Sequence, residues 1–140
     1  MALKNKRILI TAGPTWVAID SVRVISNTAT GRTGILLAKR LAKLGAKVTL
    51  VLGPVGQEKF SKRIKIISFR FFDQLKSIIL KEISSTKYDA VIHSAAVSDY
   101  RPKKNYIRKV MSGKKVWDLI LKPTAKIINC IKKLDPSDLK

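Results

Sequence analysis

Apolar positions along the chain come in short unbroken runs that alternate with helix-spaced stripes. Ile8 to Thr11 in "RILITAG" form a continuous apolar or β-branched run stopped at Gly13-Pro14, which predicts a buried strand. From Gly31 to Leu44 the spacing changes. Ile35, Leu36, Ala38, Leu41, Ala42 and Leu44 follow a helical period, and Gly45 is placed to end that helix. "KVTLVLG", Lys47 to Gly53, predicts a second strand, and "IKIISF" a short third one. Leu75, Ile78, Ile79 and Ile83 then mark a helix with Lys and Glu on its other face. "YDAVIHSAAV" predicts a fourth strand running into the polar loop Ser98 to Pro102, and "KKVWDLIL" a further strand. "TAKIINCIKKL" predicts a closing helix with Thr124 as its N-cap. Strands alternating with helices imply an α/β fold. The expected form is an open, mainly parallel, Rossmann-like sheet with helices on both faces, three layers in all. No repeat, low-complexity tract or linker divides residues 1–140, so one domain is expected.

Composition narrows the partners. A hydrophobic content of 46% supplies a core, and 29 Lys+Arg against 9 Asp+Glu give a formal net charge of +20. Such a charge attracts anions of every kind, from phosphorylated metabolites to nucleic acid. The excess is spread along the chain and aromatics are only 6%, which favours a solvated basic surface over a nucleic-acid-binding module. Cys130, the only cysteine, rules out an intrachain disulfide and a cysteine-rich metal site, and its apolar helical setting reads as core. No segment approaches membrane-spanning length, so a cytoplasmic protein with no membrane partner is expected.

The candidate chemistry starts at "ISNTATGRTG", Ile25 to Gly34. Glycines let a backbone approach a phosphate, and free amides at a helix start attract negative charge. Gly31 and Gly34 open the predicted helix, with Thr28 and Thr30 as hydroxyl donors. The pattern is neither G-x-G-x-x-G nor a P-loop, and a glycine-eased turn with a threonine N-cap explains it equally well. The connection from Gly13 to Thr30 is long for a strand-to-helix loop, which usually runs about 2–6 residues. It carries Asp20, Arg23, Ser26 and Asn27, of which Asp20 and Arg23 read as a structural ion pair. His93 reads as a satisfied strand histidine, and Trp16 and Trp117 as packing residues.

"ILITAGPTWVAIDSVRVISNTATGRTG", "GAKVTLVLGPV", "HSAAVSDYRP" and "LKPTAKII" together resemble, in order and spacing, the phosphopantothenate–cysteine ligase family. In bacteria that domain is often the C-terminal part of a bifunctional coenzyme A biosynthesis flavoprotein. The resemblance implies a two-step reaction with CTP as co-substrate and Mg²⁺ to neutralise its phosphates. The carboxylate of 4′-phosphopantothenate attacks the α-phosphate, pyrophosphate leaves, and the amine of L-cysteine then displaces CMP from the acyl-cytidylate. By the same resemblance Asn27 holds the acyl intermediate, and Ala95, Ala96 and Asp99 bind nucleotide. Gly13, Thr15, Ser26, Thr28, Thr30, Gly31 and Gly34 shape the cradle.

The sequence departs from the family pattern twice. Tyr106 stands where a nucleotide-binding lysine belongs, leaving Arg108 and Lys109, or Lys103 and Lys104, as candidate replacements. The family's next strand, V-G-F-x-x-E-T, does not follow before Lys140. The expectation is one part of a ligase, completed by self-association or by a partner chain. The alternatives are a catalytically incomplete nucleotide-binding Rossmann-like domain and, more weakly, a basic nucleic-acid-binding module. An NAD(P) site is disfavoured because "VTLVLGPVGQ" lacks the acidic ribose-binding residue expected after the second strand.

Overall fold

The unbroken apolar runs become buried parallel strands. The computed structural model describes residues 2–134. Its main sheet joins β1 (Arg7–Ala12), β4 (Lys47–Leu52), β5 (Ile64–Ser68) and β6 (Ala90–His93) in the order β5-β4-β1-β6. All the pairings are parallel, with Ile8 beside Val48 and Ala90, and Val48 beside Ile64. Leu9, Ile10, Leu50 and Val51 are fully buried because helices cover both faces of the central strands.

Two clusters divide the core by the two-residue period of the strands. Ile8, Ile10, Val48 and Leu50 pack against α1 (Arg32–Lys43) through Ile35, Ala38 and Ala42. Leu9 and Val51 face the other way, onto Leu75 and Ile79 of α2 (Phe72–Ser85) and Ile127 and Ile131 of α3 (Ile127–Leu134). The expected three-layer α/β/α architecture is therefore present.

The predicted end of α1 is built as expected. Gly45 adopts φ 98°, and the amides of Gly45 and Ala46 reach back to the carbonyls of Ala42 and Leu41 in a Schellman closure. At the start of α2 the Gln74 side chain accepts from the amides of Arg70 and Phe71, forming one half of a capping box.

Three expectations need correction. The long connection after β1 is not plain loop: it folds into an antiparallel hairpin, β2 (Trp16–Ala18) with β3 (Val24–Ser26). "KKVWDLIL" is not a strand of the main sheet. Its residues up to Ile120 are irregular, and Leu121–Pro123 form β8, antiparallel to β7 (Tyr100–Pro102). Thr124 does not cap α3, which starts at Ile127. The Thr124 hydroxyl donates instead to the Ser98 carbonyl at 2.6 Å. No helix is long and apolar enough to cross a membrane among the described residues.

Candidate functional site

In the order β5-β4-β1-β6 the chain builds outward from β1 to β5, then returns to place β6 on the other side of β1. The carboxyl ends of β1 and β6 therefore flank the switch point, where ligands of open α/β sheets settle. Beyond the sheet the two chains stay laced together. The Ser94 amide and hydroxyl both donate to the Thr11 carbonyl, and the Ala95 amide to Thr11 Oγ1. The Ala96 amide donates to the Gly13 carbonyl at 2.9 Å, and the Thr15 amide to the Ala96 carbonyl at 3.1 Å.

Thr15 belongs to this lacing. It is fully buried, accepts the Ser98 amide at 2.9 Å, and donates to Ser98 Oγ at 3.0 Å. Its hydroxyl is thus engaged inside the protein. His93 is satisfied as expected, with Nδ1 2.8 Å from Thr11 Oγ1. Burial holds its pKa below the usual histidine value.

Three glycines set the closeness of the backbones. Gly31 is the N-cap of α1 with φ 71° and no side-chain cap, so the threonine N-cap is not formed. A Cβ on Gly31 would lie 3.0 Å from the Gly13 amide nitrogen, so these two turns touch. Gly34 serves packing: a Cβ there would meet Ala12 Cβ at 2.5 Å and Ser94 Oγ at 2.7 Å. The result is a helix N-terminus pressed against the ends of β1 and β6. Its first amides have no partner within the helix.

Asn27 reaches across this junction. Its Nδ2 donates to the Ala96 carbonyl at 3.1 Å and lies 3.5 Å from the Val97 carbonyl. With carbonyls on that side, the amide nitrogen must face them, which leaves Oδ1 turned away with no partner among the described residues. Asn27, Ala95, Ala96, Gly13, Gly31 and Gly34 are thus brought together. Ser26 is exposed and donates to the Asn27 carbonyl at 3.0 Å, while Thr28 and Thr30 are exposed on the loop into α1. Asp99 is exposed and ion-paired to Lys126, so its carboxylate meets a cation before any ligand arrives.

Arg108 and Lys109 sit elsewhere, on the irregular segment after β7, directly before Val110. Val110 is buried and fixed to the β2–β3 turn: its amide donates to Asp20 Oδ2 at 3.0 Å, and its carbonyl accepts from Arg23 Nη1 at 3.2 Å. The Asp20–Arg23 ion pair, at 2.5 Å, is therefore structural as expected, and it also anchors this distant segment. Burial alone would raise the Asp20 pKa. Amides of Val22, Val110 and Arg23, then the guanidinium itself, outweigh it and lower the value to about 2.

Arg23 also lies over the Trp117 ring, 5.1 Å from its centroid, and Tyr106 meets the same indole edge-on. The Trp117 Nε1 proton is buried without an acceptor among the described residues. Tyr106 is thus a packing residue, with Lys104 Nζ 4.9 Å from its ring centroid. Val110 and the Arg23–Trp117 stack lie beyond sequence reasoning. A lone valine within a basic run carries no signal that it is an anchor.

Residues 3–138 match the family described as DNA/pantothenate metabolism flavoprotein C-terminal domain. The coenzyme A biosynthesis bifunctional protein CoaBC of Thermococcus kodakarensis is 36% identical over 135 residues, which are 96% of this chain and 33% of that protein. A cysteine/cysteine sulfinic acid decarboxylase from an unknown prokaryotic organism is 39% identical over 125 residues, 89% of this chain and 34% of that protein. The crystal structure of the DNA/pantothenate metabolism flavoprotein from Streptococcus pneumoniae superposes with a TM-score of 0.83 at 29% identity. It covers 96% of this chain and 67% of the other. The chain spans about a third of the length of these curated relatives. With almost its whole described length inside the match, the chain belongs to the DNA/pantothenate metabolism flavoprotein C-terminal domain family.

Proposed function

We propose that the β1/β6 switch point holds the nucleotide and acyl group of a phosphopantothenate–cysteine ligase, acting in the cytoplasm in coenzyme A biosynthesis. The carrying observation is Asn27, whose amide is fixed on the Ala96 carbonyl beside the glycine-built start of α1. A carboxylate oxygen of 4′-phosphopantothenate attacks the α-phosphorus of CTP, and the bond to pyrophosphate breaks. The amine of L-cysteine then attacks the acyl carbon, the bond to CMP breaks, and the amine proton passes to solvent. The chain's task is mainly to bind and align, with amide dipoles directed at phosphate oxygens. Ala95 and Ala96 leave room for a ribose or base against the backbone, and Asn27 orients the acyl group.

Mg²⁺ would neutralise triphosphate charge when bound. No group of three or more potential metal-ligating side chains comes together among the described residues. Asp99 on the 94–99 loop suits a Mg²⁺ carried in on phosphate oxygens, which takes only one or two protein carboxylates. The decarboxylase name of one relative belongs to a protein of which this chain spans only 34%. It does not alter the reading of the switch point.

Pairing at the β6 edge with a second copy or a partner chain is part of this reading. β6 ends the sheet with Ala90 to His93 only half-buried, and an open strand edge invites pairing. Nucleotide binding without ligation is the second reading, favoured by Tyr106, which packs on Trp117 where the family has a lysine. Calorimetric titration with CTP and with ATP, followed by pyrophosphate release with 4′-phosphopantothenate and Mg²⁺, separates them. CTP binding with CTP-dependent release supports the ligase. Binding without release supports the second reading, and no nucleotide binding up to millimolar CTP rejects both.

A further inference from the structure

At the amino ends of the strands, opposite the switch point, the register lines up like charges. Arg7 is the direct neighbour of Lys47, and Arg63 precedes Ile64, the partner of Val48, so it stands level with Lys47. Neighbouring strands lie about 4.8 Å apart, and like charges directly opposite repel. By the two-residue period all three project to the face that carries Leu9, Val51 and α2. A hollow of about 300 Å³ opens there against the end of α2, lined by Arg7, Lys47, Lys62, Arg63, Lys65 and a single carboxylate, Glu82.

That carboxylate is already engaged. Glu82 accepts the Tyr88 hydroxyl at 2.5 Å and Lys65 at 3.1 Å. Asp89, the other acid nearby in sequence, takes Lys6 and the backbone amide of Arg7. The side chains of Arg7, Lys47, Lys62 and Arg63 have no carboxylate partner among the described residues. The carboxyl-end dipole of α2 offers only about half a negative charge. Four cations around one concavity have no compensating carboxylate among the described residues. Convergence on a hollow, rather than a run along a groove, fits a compact anion better than a nucleic-acid strand.

We propose that this hollow is a second anion site, separate from the switch point, that takes the di- or triphosphate group of a small polyphosphate. Nucleotides and inorganic polyphosphate share that chemistry. The test is an amide-resolved NMR titration of the full chain with inorganic tripolyphosphate, with CTP and a short RNA as parallel arms. Wild type is expected to give saturable shifts at Arg7, Lys47, Arg63 to Lys65 and Thr86. Lys47→Gln with Arg63→Gln is expected to weaken tripolyphosphate at least tenfold, about what one lost charge-assisted hydrogen bond is worth. Its unperturbed spectrum elsewhere establishes that it is folded.

Lys114→Gln with Lys115→Gln, which removes the same charge from an exposed remote segment, is expected to leave the affinity within about twofold. Equal weakening by both pairs means generic attraction to a +20 chain and overturns the site. Tighter binding of RNA through the same residues overturns the compact ligand. CTP shifting these amides assigns the site to nucleotides. Tripolyphosphate shifting them without CTP assigns it to inorganic polyphosphate.

Discussion

The β1/β6 junction and the segment after β7 lie next to the same β2–β3 hairpin but are held in opposite ways. The junction is laced by backbone amides and by small residues, Gly13, Ala95, Ala96 and Ser98, whose bonds admit one geometry. Residues 103–120 have no regular structure: beyond two backbone bonds, from the Lys103 amide to the Ile120 carbonyl and from the Tyr106 amide to the Ile19 carbonyl, they depend on a few side chains, Asp20, Arg23, Tyr106 and Trp117. Backbone lacing fixes reacting groups closely, as a site needs. Side-chain anchoring leaves a basic segment held at isolated points, so a single substitution can release it.

The largest effect that would break the comparison comes from closing the junction itself. Gly34→Val places a Cβ within 2.5 Å of Ala12 Cβ and branches it further, so α1 must lift from the sheet. Overpacking typically costs about 1–3 kcal/mol and occasionally more, and a clash this close with a β-branched side chain belongs at the upper end. Thermal unfolding should show a large loss of stability or an insoluble protein, and a wild-type midpoint would refute the packing role of Gly34. Thr15→Val is next. It removes the acceptor of the buried Ser98 amide, with an expected cost of about 1–3 kcal/mol in chemical denaturation.

Asp20→Asn should sharpen the contrast without much global effect. It weakens the grip on Val110 and Arg23, so limited proteolysis should speed up between 103 and 120 while the sheet stays protected. The same anchor is pH-dependent. The folded Asp20 pKa of about 2 lies below its ordinary 3.8, so the stabilisation is fully present above that ordinary value. It is lost as pH falls through about 2. Cleavage of wild type by an acid-active protease should therefore rise across that window, and the Asp20→Asn variant should show no such rise.

The same contrast explains what the sequence reveals. The strands of the main sheet, both long helices and the Gly45 stop follow from periodicity and from residues with one dominant conformational role. The resemblance marks Asn27 and the alanines, and the junction brings them together. Thr15 is ambiguous in sequence because a threonine beside a glycine turn looks the same whether its hydroxyl faces a ligand or a buried serine. The β2–β3 hairpin and β8 escape sequence reading because each strand is only three residues long, too short for periodicity to register. Val110 and Trp117 owe their places to Asp20 and Arg23, far away in sequence, and no local pattern encodes that pairing.

The central claim, that the Asn27 amide orients an acyl intermediate at the switch point, is tested most directly by Asn27→Asp in an active assembly, measuring the two half-reactions separately. Asn27 is exposed, so the variant should stay within about 1 kcal/mol of wild-type stability. A carboxylate cannot donate to the Ala96 carbonyl, so the bond that fixes the side chain is lost, and its charge repels an anionic intermediate. The account predicts nearly normal pyrophosphate release, with amide formation reduced about a hundredfold, the scale of losing one oriented polar group. Equal loss of both half-reactions, or normal amide formation, would contradict it.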